Sequence, residues 1–330
     1  MTYRSIATLA GVLMAAAPLA TAHAQVAAKP ATQAFSASLR EWMSHAQIEA
    51  ASLAVMKDGR LVSTSGIGGM NAAAPARIAS LSKAITGVCV AQLVDAGRLS
   101  FTTPLGTVLA RTFARFGQPA DPRFKAITIE QLLMHRSGMA REPVPGPVPA
   151  RDMAGRFTKI LATPLDSDSG GAMVYSNIGY ITLGMVVQAV TGSDYERYCR
   201  DVALKPMQAS GTIDPQLRHR AASGGWLVSA VDYARFIQVF EPGSAGLGPR
   251  ARAWQDALNG ERAYGLGIFI RRTERGLLLT HTGLAAHRDR GGAYVVKFPS
   301  GWTAVATYAG RANGSIPDLR RRLQTAITSL

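Results

Sequence analysis

The chain has 330 residues and a formal net charge of +15, with 47% hydrophobic residues, enough for one large or two intimately packed domains with a sizeable core. Its basic residues are scattered and form no stripe or arm, which argues against a nucleic-acid partner. Such a surface suits anionic envelope polymers, membrane head groups or simple solvation.

The opening MTYRSIATLAGVLMAAAPLATAHAQ places Arg4 before an apolar run from Ile6 to Ala17, a breaker at Pro18, and Ala22-His23-Ala24 before Gln25. Residues 1–24 therefore read as a secretory signal peptide. The run is shorter than the roughly 20 residues a bilayer crossing needs, and no later segment is long and apolar enough to span. With no Cys after the run to carry a lipid, a periplasmic protein without a stable membrane anchor is expected. Residues 25–33 read as a loose leader.

The spacing of Phe35, Leu39 and Trp42 predicts an amphipathic helix over Phe35–His45, followed by a strand at Ala51–Met56, an Asp58-Gly59 turn and a second strand at Leu61–Ser65. Apolar helix formers from Ser80 to Ala96 stop at Gly97, which sets Ser80 at a helix N-terminus. A short helix begins at Thr128 and ends near Ser137-Gly138. Glu142–Ala150, alternating Pro with Val and Gly, is a loop and a candidate cleft rim. Helical patterning returns over Ile178–Thr191, Tyr195–Leu204 and Ala230–Phe240. Strands follow at Tyr264–Arg271, Gly276–His281, Ala293–Phe298 and Trp302–Tyr308, then a helix from Ile316 to Leu330. Cys89 and Cys199 sit in predicted helices among apolar neighbours and read as buried free thiols, although an oxidising compartment permits a disulfide.

Strands at both ends and helices between them predict an α+β fold. One antiparallel sheet is assembled from both chain ends and flanked by helices, with an inserted all-helical domain. The sheet parts fall at about 34–75 and 255–330, and the helical part at about 80–250, within a single unit over 25–330.

Three short motifs carry chemistry. Ser80-Leu81-Ser82-Lys83 is an S-x-x-K tetrad whose spacing at a helix start brings hydroxyl and amine onto one face. A Ser hydroxyl needs a proton acceptor, and a lysine accepts only when neutral, a form that burial or nearby positive charge favours. The helix N-terminus favours negative charge developing at the nucleophile and the attacked carbonyl. Alone, the tetrad also reads as a capped helix with a surface lysine. In Tyr175-Ser176-Asn177 the phenol can relay a proton, and the Asn177 amide can orient Lys83 and hold a substrate carbonyl. A buried Tyr with an Asn helix cap is the alternative. In His281-Thr282-Gly283 the glycine lets a substrate backbone lie against the strand, and Thr282 offers a hydroxyl. The Leu284 N–H can complete an oxyanion hole with that of Ser80. A plain strand end followed by a turn fits the same three residues.

In this order and at these distances the motifs resemble the serine beta-lactamase and D,D-peptidase superfamily, in its class C and S12-peptidase branch, over nearly the whole mature chain. Arg77-Ile78-Ala79, the stretch from Ile127 to Gly138, Gly224-Gly225 with Ser229, and Tyr264-Gly265-Leu266-Gly267 are similar too. The resemblance implies a beta-lactamase/transpeptidase-like fold in which Ser80 is acylated and Lys83 and Tyr175 share the acid and base work. It also implies that Asn177, His281, Thr282, Gly283 and Leu284 bind the substrate and that no cofactor or metal takes part. His135 lies in a helix-ending motif that looks structural.

Beta-lactamases of this fold usually carry Lys where His281 stands, whereas His is common in its D,D-peptidases, D-aminopeptidases and esterases. The expected function is a serine hydrolase, a D,D-carboxypeptidase or D-amino-acid peptide or amide hydrolase. An esterase or transacylase, then a beta-lactamase, are the nearest alternatives, and a non-catalytic peptidoglycan-binding protein is the alternative of another class. The expected partners are a small peptide, amide or ester, with peptidoglycan a further candidate. The charged stretch after the third motif offers Arg288 and Arg290 to a substrate carboxylate, or forms a solvated turn.

Overall fold

The computed structural model describes residues 20–140, 151–244, 246–258, 262–285, 291–310 and 315–328. Most of the expected signal peptide, the Glu142–Ala150 loop, and Arg288 and Arg290 lie outside the described residues. Among the described residues no helix is long and apolar enough to cross a membrane.

Helix α1 runs from Ala20 to Ala46 with Pro30 inside it. The stretch expected as a loose leader is therefore helical: its alanines are strong helix formers, and Pro30 stands within the helix without ending it. Strands β1 (Ala50–Lys57) and β2 (Arg60–Ile67) follow as a hairpin. After the short strand β3 (Ala76–Arg77) and a 3-10 turn at Ala79–Leu81 comes helix α2, Ser82–Asp95.

The helical part comprises α3 (Leu105–Val108), α4 (Ala110–Phe116), α5 (Ile129–Leu133), α6 (Met153–Leu161), α7 (Asn177–Thr191), α8 (Tyr195–Cys199), α9 (Ala221–Gly224), α10 (Ala230–Phe236) and α11 (Pro249–Asp256). Thr128 caps α5 in a reciprocal box with Gln131, so two helix-end donors are satisfied at once. Strands β4 (Thr212–Ile213) and β5 (Trp226–Val228) form a small sheet with β3, which brings residues far apart in sequence beside the turn that carries Ser80.

The last third supplies β6 (Arg262–Gly265), β7 (Ile268–Thr273), β8 (Gly276–Ala285), β9 (Gly291–Lys297), β10 (Trp302–Ala309) and helix α12 (Ile316–Thr328). The expected single strand at Tyr264–Arg271 is thus two strands. The chain turns at Leu266 and Gly267, both at positive φ, and Gly267 lies so close to α2 that a Cβ there would sit 2.2 Å from the Lys83 carbonyl carbon.

The main sheet has the order β2-β1-β10-β9-β8-β7-β6, every neighbour antiparallel. The two chain ends meet at β1 and β10, where Leu53 pairs with Ala306 and Val55 with Ala304. This is the expected α+β, beta-lactamase-like architecture. The period of two along β1 sends Leu53 and Val55 to the α1 and α12 face, with Trp42, Trp302 and Leu323, and sends Ala54 and Met56 to the helical part. Trp42 also donates from Nε1 to the Ser315 carbonyl at 2.9 Å, tying α1 to the start of α12.

Cys89 of α2 and Cys199 of α8 form a disulfide, with Cα atoms 5.5 Å apart, which replaces the free-thiol reading. Each had looked like a core residue, and both are; packing of α2 against α8 then brings the two sulfurs together. Alkylation of the unreduced, denatured protein should leave its mass unchanged. Removing both sulfurs (Cys89→Ala with Cys199→Ala) should lower unfolding stability by about 2–5 kcal/mol, measured by denaturant titration.

Candidate active site

Ser80 sits in the 3-10 turn that opens α2, half-buried, after Ala79, whose φ of 46 is unusual for a residue with a Cβ. The turn is fixed from several sides. The Ile78 N–H donates to the Trp226 carbonyl at 3.3 Å, Ser82 Oγ accepts from the Trp226 N–H at 3.2 Å, and the Tyr233 hydroxyl donates to the Leu81 carbonyl at 2.9 Å. Just upstream, Arg77 Nε donates to Asp214 Oδ2 at 2.6 Å.

Lys83, one helical turn on, is fully buried, so the surface-lysine reading fails. Its Nζ donates to Ser80 Oγ at 3.3 Å, Asn177 Oδ1 at 2.5 Å and the Ser223 carbonyl at 2.7 Å. Three acceptors around one amine fix its position, and only one of them is the hydroxyl it could deprotonate. Asn177 opens α7, capped by Ser176 Oγ, which accepts from the Gly179 N–H at 3.3 Å.

The ring of Tyr175 stands 4.8 Å from Lys83 Nζ. His135 supports it: its ring centroid is 4.3 Å from that of Tyr175, and its Nδ1 accepts the Ser176 N–H at 3.1 Å. Burial first, then the charge of Lys83, holds His135 well below the ordinary histidine range. It is a neutral prop for the Tyr175-Ser176-Asn177 segment, as its motif suggested.

Strand β8 brings in the third motif. The Gly283 backbone lies against the Ser80 turn, where a Cβ would fall 2.1 Å from the Ile78 carbonyl oxygen; only glycine permits this approach. β9 accompanies β8 as far as Ala285, whereas β7 pairs with it only as far as Thr280. On the β7 side, residues 281–285 therefore have no strand partner among the described residues, an edge on which an extended substrate can lie. Leu284, just beyond the close approach, is 60% exposed.

His281 is buried, with Nδ1 3.0 Å from the Thr282 carbonyl and Nε2 3.0 Å from the Tyr264 hydroxyl. The carbonyl can only accept, so Nδ1 carries the proton and Nε2 accepts from Tyr264. Burial and the Lys83 charge lower its pKa to about 3. A neutral imidazole thus stands at this position, so a substrate anion meets no side-chain charge from the first residue of the motif.

A stability consequence follows. Above about pH 6.5 His281 is neutral in folded and unfolded chains alike. Between 6.5 and about 3 the unfolded chain takes up a proton that the folded chain refuses, so stability falls as pH falls, by up to about 1.4 kcal/mol per pH unit. His135 acts in the same direction. Denaturation midpoints should drop from pH 7.5 to pH 4.5, and His281→Gln should flatten that slope.

The structure thus brings Ser80, Lys83, Tyr175, Asn177, His281 and Gly283 to one cleft between the helical part and β8, with Leu284 next to Gly283; the alternation along β8 turns the Thr282 side chain to the other face of the sheet, so the hydroxyl expected at the substrate stands away from Ser80. It adds the Ser223 carbonyl, which no residue-type signal could reveal, and Tyr264, whose part in fixing His281 is visible only once β7 sets β6 one strand away from β8.

The beta-lactamase family model matches residues 32–327. The chain belongs to the beta-lactamase family. Protein flp of Staphylococcus aureus (strain MW2) is 28% identical over 190 residues, covering 53% of this chain and 36% of that protein, so the match spans about a third of the relative's length. The fold is similar to that of a beta-lactamase/D-alanine carboxypeptidase from Yersinia pestis complexed with citrate, with a TM-score of 0.75, 17% identity and coverage of 91% and 98% of the two chains. A D-stereospecific amidohydrolase from Streptomyces gives a TM-score of 0.68 at 18% identity, covering 89% of this chain and 97% of that one.

Proposed function

We propose that the chain is a periplasmic hydrolase that works through an acyl-enzyme on Ser80 and cleaves a D-amino-acid peptide or a related amide. The observation that carries the reading is the buried Lys83 amine, 3.3 Å from Ser80 Oγ and held there by Asn177 and Ser223. Ser80 Oγ adds to the substrate carbonyl as its proton passes to Lys83, with the oxyanion taken by backbone N–H groups at Ser80 and Leu284. Lys83 and Tyr175 return the proton to the leaving amine as the C–N bond breaks. Water then attacks the Ser80 ester, giving up its proton to the same pair; the bond from Ser80 Oγ to the acyl carbon breaks, the pair returns that proton to Ser80, and the acid is freed.

The neutral His281 in place of lysine and the open edge of β8 favour a peptide-like substrate over a lactam antibiotic. The names of the structural neighbours, a D-alanine carboxypeptidase and a D-stereospecific amidohydrolase, support the same substrate class. The leader sequence and the Cys89–Cys199 bridge support export to an oxidising compartment.

One observation favours an esterase as the second reading: Met173, Val174 and Leu284, between 43% and 60% exposed, sit beside the catalytic motifs and give the cleft an apolar rim. A peptide ending in D-Ala-D-Ala and an activated short-chain ester, compared by kcat/KM, separate the two. Peptide cleavage that depends on D stereochemistry is expected; rapid ester turnover with no peptide cleavage would favour the esterase.

A further inference from the structure

On the face of the sheet turned away from α2, a cavity of about 480 Å³ adjoins the reactive strand. Arg262 of β6, Arg271 of β7 and Arg320 of α12 line it, and no acidic residue stands among its described lining residues. The register explains the convergence. Arg262 pairs with Arg271, Arg271 with Leu278, and Thr282 with Tyr294, so these side chains share one face of the sheet, the face that α12 crosses.

None of the three arginines forms an ion pair among the described residues. Like charges gathered about one cavity repel each other, and an anion placed between them relieves the repulsion. Guanidinium groups also match a carboxylate in planar, paired hydrogen bonds.

Two further features shape the occupant. Met173 and Phe269 line the same cavity and are 43% and 39% exposed, so its wall offers apolar surface to a ligand. Tyr294, 2% exposed, also lines it, and its hydroxyl is buried with no hydrogen-bond partner among the described residues. A buried hydroxyl without a partner is costly, so the protein itself supplies no acceptor at this side of the cavity wall. His281 lines this cavity as well as the reactive cleft, and Met173 stands two residues before Tyr175, so the cavity reaches the reaction centre around the end of the β7–β8 pairing.

We propose that this cavity is a subsite for an amphiphilic carboxylate, its apolar body against Met173 and Phe269 and its carboxylate on Arg262, Arg271 and Arg320. The inference rests on the acyl-transfer reading only in taking the occupant to be a non-reacting part of the substrate; the subsite itself does not need Ser80 chemistry.

The test is calorimetric titration of the mature Ser80→Ala protein, in which the acylated group is absent. 4-Phenylbutyrate is expected to bind at least about tenfold tighter than its neutral amide, as one charge-assisted hydrogen-bond pair supplies. Arg271→Ala together with Arg320→Ala should remove that difference. Both residues are exposed, and an unfolding midpoint equal to the parent's confirms that the variant keeps its fold.

In wild-type protein the same carboxylate should competitively inhibit hydrolysis of a neutral activated ester, and the amide should not. Equal binding of acid and amide, or acid binding unchanged in the double variant, would overturn the proposal. Inorganic phosphate binding as tightly as phenylbutyrate would overturn it too, by showing a plain anion site. Carboxylate binding to Ser80→Ala alongside an inactive wild type would uphold the subsite and count only against the acyl-transfer reading.

Discussion

Ser80→Ala is expected to abolish the covalent adduct that a penicillin or an activated ester leaves on the protein, and to cut turnover by roughly 10⁴- to 10⁶-fold. Losses of that size follow removal of the nucleophile from sites whose groups act as a unit. The substitution removes one hydroxyl whose bond to Lys83 is 3.3 Å long, while the turn keeps its backbone and side-chain ties to Trp226 and Tyr233. Stability should therefore change by no more than about 1 kcal/mol. Intact mass after exposure, parent beside variant, is the measurement. An adduct of equal yield on the variant would move the nucleophile away from Ser80, and the Lys83 geometry would lose its catalytic meaning.

The cleft's geometry depends on backbones that approach more closely than side chains allow. Gly283 meets the Ile78 carbonyl, Gly267 meets the Lys83 backbone, and Gly87 lies under Leu266, where a Cβ would fall 2.3 Å from its carbonyl oxygen. Together these contacts press β8 and the β6–β7 turn against the first turns of α2. The serine, the lysine and the open strand edge are thus held by packed, regular elements, the condition under which a reacting geometry stays fixed. The same packing buries His281 and leaves it neutral.

Much of this was legible in the sequence because its signals are local. Gly97 ends α2, Thr128 opens α5, and the period-two strands of the last third set the sheet. The three motifs, each ambiguous alone, point to one site when taken together. What was not legible depends on contacts between distant segments. The Ser223 carbonyl is a backbone group with no sequence mark. Cys89 and Cys199 had the apolar neighbours of buried thiols, and only the packing of α2 on α8 pairs them. The turn at Leu266-Gly267 interrupts a stretch otherwise rich in strand formers; Gly265 and Gly267 marked it weakly, and the backbone turns there where it passes Lys83. Arg262, Arg271 and Arg320 read as scattered surface charge along the chain, and they converge only through strand register and the path of α12.

The second large effect is expected at Lys83. Methionine is close to lysine in length and removes only the amine, so Lys83→Met tests the proton acceptor without opening a cavity. A positioned general base typically contributes about 10²- to 10⁴-fold, and acylation should slow by at least that much. The upper part of the range is favoured because the amine also holds Asn177 Oδ1, which is left without its bond to Lys83. Folding should suffer less: three acceptors lose a donor, of which the half-buried Ser80 hydroxyl can turn to water and the other two cost about 1–3 kcal/mol each, while removal of a buried charge offsets part of that cost. A second readout separates electrostatics from packing. The charge of Lys83 helps depress both His135 and His281, after burial, so the imidazole titrations followed by NMR should move upward in the variant. Slower acylation would establish the amine as the base, and the upward movement would establish that the resting site holds its positive charge, which must be lost before it accepts the Ser80 proton. Acylation within about tenfold of the parent would transfer the proton acceptor's role to Tyr175, whose ring lies 4.8 Å from the same nitrogen.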